Sequence, residues 1–229
     1  MDRLLISCIV PVFNGERYLA EALNSITAQT YQPVEIIVAD DGSSDNSADV
    51  ARAYRAPVTY LRQPNSGPAA ARNLGLTAAK GDFIAFLDAD DLWHHEKLER
   101  QMARFRARPE LEYCVTHVQN FRTPKDGATA NGLETYYVGR PLPGYVTQSL
   151  LVRRSFFDRI GPFNTALTHG DDTDWYLRAK ESGAEMELLP DALVYRRIHD
   201  ANLSQVQAAQ SREEYLHILK GALDRRRLR

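Results

Sequence analysis

The stretch Phe83–Trp93, FIAFLDADDLW, joins an apolar run directly to three carboxylates. The apolar residues Phe83–Leu87 predict a buried strand, and the C-terminal end of such a strand is where an open α/β sheet binds its ligands. Asp88 and Asp90 are two residues apart, so in extended chain their side chains point to the same side. Such a pair suits a hard divalent cation such as Mg²⁺ or Mn²⁺. The alternative is a turn or a helix cap, because Asp is common in both.

Two earlier apolar runs end in the same way. Glu35–Ala39 is rich in β-branched residues and leads into the polar stretch Asp40–Asp45, whereas Leu4–Val12 leads into Phe13 and Asn14. Both runs predict strands that bring functional groups to an edge of a sheet. At such an edge the ring of Phe13 could stack on a flat ligand, although a position in the core is the alternative.

Strand and helix patterns alternate through the first half of the chain. This order predicts a Rossmann-like α/β fold with a mostly parallel central sheet flanked by helices. Besides the three runs above, this half has a predicted strand at Val58–Leu61 and predicted helices from Ser44 or Asp45 to about Tyr54, at Gly67–Ala79 and at Glu96–Arg106.

The second half has a different pattern, with fewer regular alternations. Strands are predicted at Tyr113–Val118, Ser149–Val152, Glu185–Leu189 and Ala192–Arg196, and helices at Ser155–Ile160, Asp172–Ser182 and Gln205–Leu223. Thr123–Gly144 is rich in Gly, Pro, Thr and Asn and predicts a long loop, with a hairpin at Glu134–Val138 as an option.

Length, charge and cysteine content limit the class of protein. The 229 residues suffice for one α/β domain, or for a domain with a small subdomain. The net charge of −2 argues against a general nucleic-acid-binding protein. Cys8 and Cys114 lie in apolar runs without the spacing of a zinc site or a disulfide framework, so we expect reduced core thiols in a cytoplasmic protein. Neither a signal peptide nor an apolar stretch of the roughly 20 residues that span a bilayer is expected.

A third acidic cluster opens the predicted helix in the second half, with Asp171, Asp172 and Asp174. Acids at a helix N-terminus are stabilised by the helix dipole, so capping is one explanation. Three acids exceed what capping needs, and one of them could act as a general base on a hydroxyl.

The stretch Arg196–His199 adds basic groups farther along the chain. His199 could complete a metal site, because neutral imidazole binds divalent cations, or it could be an ordinary surface or packing histidine. Arg196 and Arg197 could pair with phosphate or carboxylate groups, or they could be solvated.

Together these motifs resemble the inverting family 2 glycosyltransferases, a large group with the GT-A fold. The matching pieces are Pro11–Asn14, Asp40–Ser43 with Asp45, Ala71–Asn73 with Gly75, and Asp88–Asp91, in the family's order and at familiar spacing. Weaker matches are Gly170–Asp172 and Tyr195–Ser204. The resemblance covers Ile6–Leu98 well and Gly144–Ser204 moderately. It implies a GT-A fold with a smaller acceptor-side region.

The resemblance implies a nucleotide site built from the first two motifs and the arginine. The ring of Phe13 would lie against the nucleobase, Asp41 would accept the N–H of the base, and Arg72 would lie near the nucleotide. The implied nucleotide-binding residues are Pro11, Phe13, Asn14, Asp40, Asp41, Arg72, Asp88 and Ala89.

The resemblance also implies a metal site. Asp88 and Asp90 resemble the Asp-x-Asp pair that holds the metal ion and the donor ribose, with Asp90 as the more direct metal ligand. His199 resembles the histidine that approaches the metal ion and the diphosphate. The implied metal ligands are therefore Asp90, Asp88 and His199, and the implied cofactor is Mn²⁺ or Mg²⁺.

The catalytic base is implied at the third acidic cluster. Asp172 resembles the general base of the family's Glu-Asp pair, with Asp174 and then Asp171 as alternatives. The family often has Glu where this chain has Asp171, which leaves three similar carboxylates. A helix start would put Asp171 and Asp174 on one face, with Asp172 pointing elsewhere.

The implied activity is an inverting, metal-dependent transfer of one sugar from a nucleotide-diphosphate sugar to a hydroxyl. The donor would by default be UDP-linked, and the acceptor a carbohydrate or a lipid-linked molecule in polysaccharide, lipopolysaccharide or glycolipid synthesis. Processive members carry Gln-x-x-Arg-Trp and membrane helices, and this sequence has neither. We therefore expect single transfers by a soluble, non-processive enzyme.

The expected organisation is a single GT-A domain with three parts. Residues 1–112 would bind the nucleotide sugar, 113–204 would bind the acceptor and catalyse, and 205–229 would form a C-terminal helix and basic tail. The tail, Arg225–Arg229, could make peripheral contact with the inner face of an anionic membrane, and a solvated tail is the alternative.

Other functions fit part of the sequence. A sugar nucleotidyltransferase needs a glycine-rich basic loop, whereas Pro11–Arg17 has one Gly and one Arg. A phosphatase of the Asp-x-Asp type would carry that motif after its first strand, and here it follows the fourth. The alternative from a different class is a non-catalytic nucleotide-sugar binding module, against which the intact acids of all three clusters argue.

Overall fold

The computed structural model describes residues 3–123, 136–199, 214–216 and 218–221. The predicted hairpin start at Glu134, most of the predicted helix Gln205–Leu223 and the basic tail Arg225–Arg229 lie outside the described residues. The described strands are β1 Ile6–Val12, β2 Val34–Asp40, β3 Val58–Arg62, β4 Phe83–Phe86, β5 Leu92–Trp93, β6 Tyr113–Arg122, β7 Tyr137–Pro143, β8 Leu151–Arg153 and β9 Met186–Ile198. The helices are α1 Leu19–Thr27, α2 Ser47–Arg52, α3 Pro68–Ala78, α4 Lys97–Ala107, α5 Arg154–Ile160 and α6 Asp171–Glu181.

Four strands from the first half of the chain pair in parallel, in the order β3-β2-β1-β4. A helix follows each of the first three of these strands, so the chain returns to the same end of the sheet before the next strand begins. The C-terminal ends meet at one edge, where Val12 pairs with Asp40 and Asp40 with Arg62. This edge therefore collects the residues that follow β1, β2 and β4, as the sequence predicted.

The second half of the chain extends the same sheet. β8 pairs antiparallel with both β4 and β6, and the order continues as β8-β6-β9-β5, with β7 on β6. The predicted α/β fold is confirmed. In its second half the sheet is mixed, because β6 and β9 pair in parallel whereas β7 and β8 pair antiparallel with their neighbours. Since Leu92 of β5 pairs with Tyr195 of β9, the end of β9 lies beside the acids that precede β5.

Two details of the second-half predictions were wrong, a break within a strand and the extent of a loop. The predicted strands Glu185–Leu189 and Ala192–Arg196 form one strand, β9, because its pairing with β6 steps from Leu189 to Ala192 and leaves a bulge between them. Pro190 lies in this bulge, where its missing N–H costs no ladder hydrogen bond. The end of the predicted loop Thr123–Gly144 is strand β7, which pairs with β6.

The helix predicted to start at Ser44 or Asp45 begins later and ends earlier, at Ser47 and Arg52. The carboxylate of Asp45 accepts hydrogen bonds from the backbone N–H and hydroxyl of Ser47, at 3.0 and 2.6 Å. These contacts hold the preceding turn outside the helix, and Asn46 occupies the N-cap position.

Apolar side chains alternate between the two faces of the sheet, and helices cover both. One layer contains residues of α1 and α4 against the strands, including Cys8, Val10, Leu23, Val38 and Phe105. The other contains residues of α3, α5 and α6, including Ile9, Ile37, Phe86, Phe157 and Trp175. Cys8 and Cys114 are buried free thiols, as predicted. Among the described residues, no helix has the length and apolarity that crossing a bilayer requires.

Candidate active site

The loops that follow β1 and β2 are joined to each other by side-chain hydrogen bonds. The backbone N–H of Asn14 donates to Ser43 Oγ at 2.9 Å, and Asn14 Oδ1 accepts from the backbone N–H of Ser44 at 2.8 Å. Asn14 adopts a positive φ of 51°, which Asn tolerates better than most residues. The turn leaves the ring of Phe13 54% exposed, so the core alternative for Phe13 is wrong. Pro11 is buried within β1.

Asp40 and Asp41 are both buried and both bind neighbouring loops. Burial alone would raise the pKa of Asp40, but hydrogen bonds from Tyr60 and Ser43 lower the pKa below its usual value. Asp41 accepts from Gln63 Nε2 at 2.7 Å and from the backbone N–H groups of Ser66 and Gly67 at 2.9 and 2.8 Å. Asp41 therefore fixes the loop that leads into α3, a role that the sequence did not reveal.

Three acids cluster after β4, at Asp88, Asp90 and Asp91. One carboxylate oxygen from each lies within 4.8 Å of the others. Burial, and then repulsion from Asp88, raises the pKa of Asp90. Burial, with the charges of Asp90 and Asp88, raises the pKa of Asp91 well above its usual value. Ala89 packs against the core between them. Three hard oxygen donors so close together fit a divalent cation.

The end of β9 surrounds this cluster with basic groups. His199 Nε2 lies 2.9 Å from Asp90 Oδ2, so the structure brings together these two residues of the predicted metal site. The guanidinium of Arg197 is buried, where its Nε donates to the backbone oxygen of Asp90 at 2.8 Å and its Nη2 to Glu21 Oε2 at 2.7 Å. The backbone N–H of Arg197 donates to Asp91 Oδ1 at 2.9 Å. Arg197 therefore fixes the backbone of the acidic cluster, and the solvated alternative for it is wrong.

Arg72 connects the acidic cluster after β4 to the acidic cluster at the start of α6. Its Nη2 donates to Asp88 Oδ1 at 3.0 Å and its Nη1 to Asp171 Oδ2 at 2.7 Å. Burial would lower the pKa of Arg72, but the charges of Asp171 and Asp88 raise it. The resemblance implies that Arg72 lies near the nucleotide, and the structure gives it one buried ion pair, with Asp171, and one partly buried ion pair, with Asp88.

The three acids at the start of α6 have different partners. Asp171 pairs with Arg72, and Asp174 Oδ2 accepts from Arg178 Nε at 2.9 Å. Asp172 Oδ1 accepts from the backbone and hydroxyl of Thr173. Burial, and then the charge of Asp171, raises the pKa of Asp172 to about 6. Asp172 thus combines a half-buried carboxylate with a pKa near neutrality, which suits a general base.

Two contacts near these acids were missed at the level of sequence. Gln148 Nε2 donates to Asp88 Oδ2, and Glu214 accepts from the backbone N–H groups of Thr168 and His169 at 3.3 and 2.6 Å. Gln148 lies just before an apolar run, so its local signal was weaker than that of the acids, which follow theirs. Glu214 had no local signal, because its partners lie more than 40 residues earlier.

Comparisons with known proteins identify the family of this chain. The family model described as Glycosyl transferase family 2 matches residues 7–163. An uncharacterized glycosyltransferase of Nostoc sp. is 45% identical over 224 residues, which cover 91% of this chain and 69% of the relative. An uncharacterized glycosyltransferase of Rickettsia typhi is 30% identical over 232 residues, which cover 96% of this chain and 71% of the relative.

Two solved structures share the fold. TarS 1–349 of S. aureus in complex with UDP-GlcNAc has a TM-score of 0.76 at 22% identity, covering 96% of this chain and 65% of that one. The mannosyltransferase PcManGT from Pyrobaculum calidifontis, in complex with GDP-Man and Mn²⁺, has a TM-score of 0.69 at 21% identity, covering 88% and 59%. This chain thus spans less than two thirds of either protein, and the likeness shows the GT-A fold. Together with the family match and the relatives, the fold shows that the chain belongs to glycosyl transferase family 2.

Proposed function

We propose that this protein is an inverting, metal-dependent glycosyltransferase that moves one sugar from a nucleotide-diphosphate sugar to an acceptor hydroxyl. The observation that carries this proposal is the double ion pair of Arg72, which holds Asp88 of the metal cluster and Asp171 beside the base in one connected site. UDP is the proposed nucleotide, and a carbohydrate or lipid-linked molecule the proposed acceptor. The complexes of TarS with UDP-GlcNAc and of PcManGT with GDP-Man and Mn²⁺ support a donor of this class.

The proposed metal ligands are Asp88 and Asp90, with His199 beside Asp90. The raised pKa of Asp90 and the proximity of its carboxylate to that of Asp88 fit a site that takes a divalent cation. Bound Mn²⁺ or Mg²⁺ would supply Lewis-acid neutralisation of the diphosphate leaving group. Asp91 is held by the backbone of Arg197, so we assign to it the support of this loop.

Asp172 is the proposed general base. A pKa of about 6 leaves its carboxylate ionised at neutral pH and still basic enough to take the proton of an attacking hydroxyl. The acceptor oxygen forms a bond to the anomeric carbon while the bond from that carbon to the diphosphate oxygen breaks. Attack from the side opposite the leaving group inverts the anomeric centre. Asp171 holds Arg72, and Asp174 holds Arg178, which leaves Asp172 for the proton.

The proposed nucleobase site lies at the exposed ring of Phe13. The loop contacts of Asn14 hold this ring at the end of β1, beside the end of β2. Asp41 borders the same site and is proposed to act on the base mainly by fixing the loop 63–67, since both of its oxygens already accept hydrogen bonds from that loop.

Titration of UDP, GDP and dTDP with and without Mn²⁺ tests the nucleotide and the metal together. We expect one of the three nucleotides to bind tightly, and only when Mn²⁺ is present. In Asp90→Asn, Mn²⁺ should no longer increase the affinity for that nucleotide. Asp191→Asn is the matched control, because Asp191 makes an exposed ion pair with Arg100. Binding that ignores Mn²⁺, or that is unchanged in Asp90→Asn, would contradict the metal role. NMR of the transfer product should show an inverted anomeric configuration, and a retained one would refute the mechanism.

A further inference from the structure

Gln148 places a buried carboxamide against the metal cluster. It lies in a 3₁₀ turn, Thr147–Ser149, between β7 and β8, and is only 7% exposed. Its backbone oxygen accepts from the indole N–H of Trp93 at 2.9 Å, and its side-chain Nε2 donates to Asp88 Oδ2. Both ends of the residue are therefore held by the segment that carries the Asp-x-Asp motif.

The carboxamide oxygen of Gln148 is buried and has no hydrogen-bond partner among the described residues. The orientation of the amide is fixed by its partner, because the carboxylate of Asp88 can only accept and so must face the amide nitrogen. A buried acceptor without a donor costs folding free energy, so such a group calls for an explanation. A donor group from a bound molecule would supply the missing hydrogen bond.

The turn that carries Gln148 lies between the metal cluster and the helix of the proposed base. On one side, the Gln148 side chain binds Asp88. On the other side, the hydroxyl of Tyr176 donates to the backbone oxygen of Val146 at 3.0 Å. Tyr176 lies one helical turn after Asp172, on the same face of α6. A sugar that reacts between a diphosphate at Asp88 and a base at Asp172 would therefore pass next to this turn.

We propose that Gln148 is a specificity-determining residue, whose Oε1 accepts a hydrogen bond from a hydroxyl of the transferred sugar. The proposal rests on the proposed glycosyltransferase function. A site built to accept such a hydrogen bond rejects a sugar that lacks it, because the buried acceptor is then left unpaired. Trp93 and Asp88 fix the position of the Gln148 residue and its carboxamide. Its oxygen would therefore favour sugars that carry a hydroxyl at one particular position on the ring.

The test compares the sugar with the nucleotide. UDP, UDP-glucose, UDP-galactose and UDP-GlcNAc are titrated with Mn²⁺ into the wild type and into Gln148→Met, which keeps the length of the side chain without its amide. Because Gln148 also donates to Asp88, we expect a small loss of affinity for UDP, and a roughly tenfold further loss of the extra affinity that the preferred sugar adds. Gln29→Met is the matched control, because Gln29 is buried and binds the backbone of Ser25, His94 and Leu98.

Deoxyfluoro analogues of the preferred donor add a first measurement in the wild type, which does not depend on how Gln148→Met folds. In the wild type, one analogue should bind about tenfold more weakly, and the loss should vanish in Gln148→Met. Equal losses for UDP and its sugars in Gln148→Met would show that Gln148 only supports Asp88, and would overturn the inference. Unchanged affinities for every analogue would overturn it as well, and would point to a water at Oε1. A wild type that binds no nucleotide would instead overturn the proposed function, and the inference with it.

Discussion

Asp172→Asn separates proton transfer from every other task of the site. Asn keeps the size of the side chain and an oxygen that can accept from Thr173, but it cannot take a proton. General-base loss typically costs about 10²–10⁴-fold, so we expect kcat to fall by at least about 100-fold. The affinity for UDP and for Mn²⁺ should stay nearly unchanged, since Asp172 contacts neither Asp88 nor Asp90 among the described residues.

The pH dependence follows from the raised pKa of Asp172. With a pKa of about 6, roughly one tenth of the side chains are ionised at pH 5 and roughly nine tenths at pH 7. An ordinary Asp, with a pKa of about 3.9, would be more than about nine tenths ionised at both values. We therefore expect kcat/KM to fall roughly tenfold between pH 7 and pH 5, and this acid limb to be absent from the residual activity of Asp172→Asn.

The assay is the release of nucleotide from the donor at fixed Mn²⁺ and fixed ionic strength, with folding checked at each pH. Asp174→Asn is the matched control, because it makes the same change two residues away and only breaks the pair with Arg178. Its activity should stay within a few-fold of the wild type. Full activity in Asp172→Asn with loss in Asp174→Asn would move the base by two residues. A flat profile from pH 7 to pH 5 would refute the raised pKa.

Three further predictions concern groups around this site. Arg72→Met leaves the buried carboxylate of Asp171 without its cation, so urea unfolding should show a loss of about 3 kcal/mol, together with weaker nucleotide binding. Glu214→Ala removes the acceptor that holds the backbone just before α6, so steady-state kinetics should show a several-fold lower kcat with an unchanged KM for the donor. Burial lowers the pKa of Lys97 from 10.5 to about 7, so between these pH values the unfolded state binds a proton that the folded state does not. The free energy of unfolding therefore decreases as the pH falls from above 10 towards 7. Lys97→Met should therefore raise the urea midpoint more at pH 6 than at pH 9, and an equal shift at both would contradict the assignment.

The elements that position the site could be predicted from local sequence. The apolar runs before Asp40 and Asp88 form β2 and β4, and both end within two residues of the predicted boundary. These predictions succeeded because the apolar run that forms each strand and the acids that end it lie in the same short segment of sequence. The same pattern placed Phe13 at the end of β1 but left open whether its ring is exposed or in the core.

The contacts between distant segments could not be predicted in this way. Arg72 and Asp171 are 99 residues apart in the chain, and Gln148 and Asp88 are 60 apart. No local pattern distinguishes a buried arginine that bridges two acids from one that contacts a phosphate. For the continuous strand β9, in contrast, a local signal was present but misleading. Pro190 favours a break in a strand, and the pairing with β6 continues past it because a bulge accommodates the proline.

The excess of negative charge in the site predicts that binding of a divalent cation and binding of the nucleotide strengthen each other. The three acids of Asp88–Asp91 and the two of Asp171–Asp172 share the cation of Arg72 and the imidazole of His199. Burial, together with the repulsion among these acids, raises the pKa of Asp90, Asp91 and Asp172. A nucleoside diphosphate would add negative charge at the same place, where it meets carboxylates that already repel one another. A divalent cation relieves both repulsions at once, so we expect it to strengthen nucleotide binding more than any single hydrogen bond in the site does.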